Sequence, residues 1–126
     1  MPTKKGWKID HSGDEAIDFT EDVSETQLVT RAGAVCGSGE VPVGAVSDDL
    51  DISEFGARGV SHSKGTMVGL CAAAITTLTV PIKPAATGTI TPADTDKDLC
   101  VGWPKNLQAV VGGEVEYDFQ LIYYAV

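Results

Sequence analysis

Asp94, Asp96 and Asp98 repeat at the two-residue interval that opens an EF-hand calcium loop. Leu99 stands where that loop needs glycine, and Lys105 where it needs a bidentate glutamate, so the three carboxylates read as a solvated acidic loop. Asp48, Asp49, Asp51 and Glu54 form a second acidic stretch that could bind a cation weakly but equally suits a loop at a protein interface, which is the favoured reading. His11 and His62 are the two imidazoles, and Ser61-His62-Ser63 lacks the GxSxG pattern of a nucleophile elbow. Cys36, Cys71 and Cys100 are odd in number and widely spaced, which fits neither a disulfide framework nor a CxxC knuckle. Apolar neighbours make Cys71 and Cys100 inert, buried thiols. Gly37, Gly39, Gly112 and Gly113 form no GxGxxG or P-loop and read as turns. Trp103, Tyr117, Tyr123 and Tyr124 could wall a ligand pocket, but aromatics of this kind more often serve a core or a subunit interface. No catalytic, cofactor-binding or metal-ligating residue is therefore assigned, and the chain is expected not to be an enzyme.

Charge and size narrow the classes further. With 18 acidic against 9 basic residues the net charge is −9, which disfavours nucleic acid and anionic membrane and points to a basic protein partner. At 126 residues, one domain with its own core is expected. Fourteen glycines suit a turn-rich β protein better than a helical one. Unpaired cysteines and an N-terminal MPTKKGWKID without an apolar signal region imply reduced, cytosolic assembly.

These residues must be positioned by the run from Lys64 to Lys83, which no charge interrupts. It has the length of a membrane span, yet four threonines, an internal glycine, Pro81 and the lack of a basic flank favour two buried strands, Gly65 to Ala72 and Leu78 to Lys83. Residues 1–26 place Trp7, Ile9, Ile17 and Phe19 among polar neighbours, as an N-terminal arm or as first edge strands. Residues 27–126 form a single β domain. Its strands fall at Gln27 to Arg31, Val41 to Ser47, Arg58 to Ser61, Thr66 to Ala72, Thr89 to Thr91 and Leu99 to Trp103, with Ser63-Lys64-Gly65 as a tight turn. Glu114 to Tyr124 alternates, with Val115, Tyr117, Phe119, Leu121 and Tyr123 on one face, and is expected to close the sheet. The fold class is all-β: a small barrel-like or sandwich domain with an extended N-terminal arm and at most one short helix.

The order VPVGAVSDD, ARGVSHSKG, PIKPAATGTITPAD, LCVGWPKN and a terminal Gly-Gly-Glu-Val strand resembles small bacteriophage capsid cement, or head decoration, proteins over roughly residues 27 to 126. The resemblance implies a β domain on the outer surface of the virion, commonly a homotrimer. Such a domain binds the major capsid protein and stabilises its lattice, without cofactors. The alternative function is a small-ligand or carbohydrate-binding β module using Trp103 and Tyr123. A third is a metal-dependent hydrolase using the acidic loops.

Overall fold

The computed structural model describes Trp7 to Ala125; the first six residues of the segment read as an arm, and Val126, lie outside the described residues. The chain runs through β1 (Lys8–Ile9), a 3-10 turn (His11–Gly13), β2 (Asp14–Asp18), β3 (Leu28–Val29) and β4 (Gly44–Ala45). Next come the helical turn α1 (Ile52–Phe55), β5 (Arg58–His62), β6 (Gly65–Leu70), β7 (Ile82–Pro84), β8 (Ile90–Pro92), β9 (Leu99–Cys100), β10 (Glu114–Asp118) and β11 (Ile122–Tyr123). The chain is all-β with one four-residue α-helix among the described residues. No described helix is long and apolar enough to cross a membrane.

Two sheets build the body. In the first, β6 lies between β1 and β10, antiparallel to both; in the second the order is β2-β5-β4-β3. Two short ribbons, β7-β8 and β9-β11, are stitched to the body by the bridges Cys71 to Ile90 and Pro104 to Tyr117, and to each other by Ile82 to Gly102. The sheets do not close into a barrel. Both contribute to the main core: Met67, Val68, Val115 and Tyr117 from the first, Leu28 and Ala45 from the second. Val29 and Val46, next in sequence to Leu28 and Ala45, point into a second cluster with Ile17, Phe19 and Val23. Successive strand residues face opposite sides, so a sheet covered on both faces needs uninterrupted apolar pairs, and LV and AV supply them.

Trp7 belongs to the main core, and Ile17 and Phe19 to the second. Residues 7–26 thus supply the edge strands of both sheets and part of their packing. The passage at Ser63 and Lys64 is a crossover and not a hairpin, since β5 pairs in the second sheet and β6 in the first. Gly65 takes φ +93° there. The strand expected from Leu78 starts only at Ile82, because Leu78 is 47% exposed and the Thr77 and Thr79 hydroxyls bond each other at 2.8 Å in a loop. The alternation from Glu114 stops at Asp118. Beyond it Phe119 packs on the core, Tyr123 is 73% exposed, and β11 leaves to pair with β9.

Candidate functional site

The polar centre of the molecule lies where the N-terminal edge meets the second sheet. Asp10 caps the 3-10 turn through a bond from the Ser12 amide to Oδ1 (2.9 Å), and its own amide bonds the Lys64 carbonyl (3.2 Å). Ser63 Oγ donates to the Gly13 carbonyl at 2.8 Å, so the turn is fastened to the crossover. This fixes His11 and Asp14 three residues apart at the mouth of β2. In the β2-β5 ladder Asp14 is the register partner of His62, which is also the partner of Ala45 in β4. Directly opposed side chains on neighbouring strands lie within contact distance. The result is a continuous relay: His11 Nδ1 to Asp14 Oδ2 at 2.8 Å, His62 Nδ1 to Asp14 Oδ1 at 2.7 Å, and Ser47 Oγ to His62 Nε2 at 3.0 Å.

An ionised carboxylate only accepts, so both imidazoles present Nδ1–H to Asp14; Nε2 of His62 accepts from the Ser47 hydroxyl when the ring is neutral and donates to it when the ring is protonated. Burial opposes ionisation of Asp14. The hydrogen bonds from His11 and His62 and the charge of both rings outweigh it, and hold the carboxyl below the ordinary carboxylate value. His62 and Ser47 are buried, whereas the His11 side chain is 78% exposed. A cavity of about 520 Å³ opens over the relay, lined by Trp7, Asp48 and Val60 besides the four residues themselves.

Ser47, His62 and Asp14 have the connectivity of a hydrolase triad, hydroxyl to Nε2 and Nδ1 to carboxylate. That connectivity alone assigns no nucleophile; Ser47 lines the cavity and is 7% exposed. In sequence His62 is visible as an imidazole, and His11-x-x-Asp14 as a local pair. Ser47 carries no signal of its own, since strand pairing alone delivers it.

Several of the acidic residues singled out in the sequence have structural partners. Asp51 caps α1, taking bonds from the Ser53 amide (3.0 Å) and hydroxyl (2.6 Å), and Asp49 accepts the Glu25 amide at 2.8 Å. Asp48 lines the cavity over the relay. In the loop that imitates a calcium site, Lys83 Nζ bonds Asp94 at 2.7 Å and Asp98 at 3.0 Å, so an ammonium group sits between the two carboxylates. Hydrogen bonds to Asp94 and then Asp98 raise the Lys83 value above 10.5; the bond from Lys83, against some burial, lowers Asp98 below 3.8. The stability contributed by Asp98 is present above pH 3.8 and lost as pH falls through its lowered folded value. That of Lys83 is present below pH 10.5 and lost as pH rises through its raised one. Urea melts of Lys83→Met should therefore show a deficit that is steady between those limits and closes beyond each of them. A deficit that does not depend on pH would assign the effect to packing of the lysine stem.

The three thiols are buried and unpaired. Burial, reinforced by the charge of Glu40, pushes Cys36 up to about 11, and burial with the charge of Asp98 raises Cys100, so neither is a nucleophile at neutral pH. The aromatic set does not assemble into a pocket wall: Tyr117 is fully buried in the core, while Tyr123 and Trp103 stand exposed.

Fold and relay together define a small all-β domain whose two sheets share a core, with a polar network along one edge. Among solved structures it is similar to the N base of head fiber gp8.5 of bacteriophage phi29, with a TM-score of 0.67 and 14% identity over 85% of this chain and 92% of that one. The likeness establishes a shared fold. No protein-family model and no curated protein matches the chain.

Proposed function

We propose that this chain is a structural, non-enzymatic component of a bacteriophage head. In this reading it binds the outer surface of the assembled capsid through the major capsid protein, as a homotrimer made in the host cytoplasm, and cements the lattice. The observation that carries the reading is the fold shared along nearly the whole domain with the base of a phage head fiber. The resemblance of the strand and turn order to head decoration proteins supports it independently. Two surface features suit such a partner. The net charge of −9 favours a basic lattice, and the loop between β9 and β10 holds Leu107, Val110 and Val111 out to solvent, with Val110 65% exposed.

A protein that binds only the intact shell stabilises it by mass action. Purified chain added to heads lacking it should co-sediment saturably, less so at high salt, and should raise the temperature at which the heads rupture. Protein left in the supernatant, with no shift in rupture temperature, would overturn the proposal. Fluorophosphonate treatment of the same material should leave Ser47 unmodified; an adduct there would favour a hydrolase.

A further inference from the structure

We propose that His11, Asp14 and His62 form a binding site for a divalent cation of the zinc class. The inference is independent of any role on a phage head, and it departs from the sequence reading, which assigns no metal ligand.

Both histidines of the chain converge on one carboxylate. One ligand atom from each of the three residues lies within 4.8 Å of the others. The set is two imidazole nitrogens and one oxygen, the donors of zinc sites with three protein ligands and an open position. Zinc bonds of about 2.0–2.1 Å place tetrahedral ligand atoms about 3.3 Å apart. The Nδ1 to carboxylate spacings of 2.7 and 2.8 Å need to widen by about half an ångström. The exposed His11 can supply that movement, while His62 and Asp14 stay in the β2-β5 register.

The surroundings match what a bound cation requires. Coordination through Nδ1 moves the His62 ring proton to Nε2, where Ser47 Oγ, at 3.0 Å, turns from donor to acceptor. His11 shifts its proton to Nε2 in the same way, so each ring keeps one proton and no oxidant or co-reactant enters. The remaining coordination positions face the cavity, where Asp48 or water can complete the shell. Calcium and magnesium prefer all-oxygen shells and gain little from two imidazoles. A bound cation would clasp the turn carrying His11 and Asp14 to the end of β5, cross-linking residues 48 positions apart.

The full chain, tag-free and stripped with a chelator, is titrated with zinc chloride by calorimetry and followed by thermal melting. One equivalent should bind saturably and raise the melting temperature, and cobalt should give the visible absorption of a tetrahedral site. His11→Ala, on an exposed side chain, should fold normally and bind zinc at least tenfold more weakly; Ser47→Ala should lose about 10–100-fold. Absence of saturable binding, equal binding by wild type, His11→Ala and Asp14→Asn, or equal stabilisation by calcium would each overturn the proposal.

Discussion

Alanine at Gly65 should remove a large share of the chain's stability. The residue sits at φ +93°, and a Cβ there would overlap the carbonyl oxygen of Lys8 on β1. The left-handed conformation alone costs an L-residue about 1–2 kcal/mol. The overlap cannot be relieved by a side-chain rotation, because the opposing atom is backbone. Either β1 moves away, giving up its pairing with β6 and carrying Trp7 out of the main core, or the crossover distorts. A loss of about 3–5 kcal/mol is expected, a large share of the stability of a domain this size. Gly39 supplies the control: its φ is +79° with nothing within 4 Å of the added atom, so Gly39→Ala carries the conformational cost without the clash. Urea melts of the two variants should differ by about 1–4 kcal/mol, the excess of the overlap over strain alone. Equal losses would mean that β1 contributes little to the fold.

The second large effect is at Tyr117, the largest of the fully buried side chains. It stands opposite Met67 in the β10-β6 ladder, and its ring, together with Ile90, crowds the space that a side chain at Gly69 would occupy. Tyr117→Ala should cost about 3–5 kcal/mol, the range for emptying a large aromatic from a core that cannot collapse. Tyr117→Phe should behave in the opposite way. The hydroxyl is buried with no hydrogen-bond partner, and burial, with Cys36 nearby, pushes its ionisation far above the ordinary tyrosine value. Removing an unsatisfied polar atom while keeping the ring should leave stability unchanged or raise it by about 1 kcal/mol. Thermal melts of the pair test both claims; a destabilised phenylalanine variant would mean that the hydroxyl has a partner in solution.

The elements readable in the sequence were those with regular alternation or a long apolar run. Gly65–Leu70 lies inside the uncharged stretch, and Val115 and Tyr117 share a face as their spacing requires. The register of β10 on β6 accounts for that success, since a half-buried strand declares its period. Leu121 and Tyr123 continue the pattern on paper but not in space, because pairing with β9 turns the chain out of the sheet. The candidate site was far less legible. Its members come from a 3-10 turn, two strands and the bend after β4, and no local spacing links Asp14 to His62 or His62 to Ser47. The same holds for the acidic loops: the interval from Asp94 to Asp98 imitates a calcium motif, while the answering cation is Lys83, eleven residues before Asp94. Sequence periodicity reports the face of an element, whereas chemical neighbours across a sheet are set by register.

The pairing order of the first sheet bears on how the protein is made. β1 and β2 precede the other strands in the chain, yet their partners are Thr66 and Gly65 of β6 and the run Arg58 to His62 of β5. The far side of β6 waits still longer, for Glu114 to Asp118. Closure of such distant pairs is slow, and sheet edges stay open until it happens. All four strands of the second sheet lie before Ser63, so that sheet can close early, whereas the first stays unfinished until Glu114 to Asp118 is available. Trp7, beside β1, therefore reaches its place in the main core only when the late-closing first sheet forms.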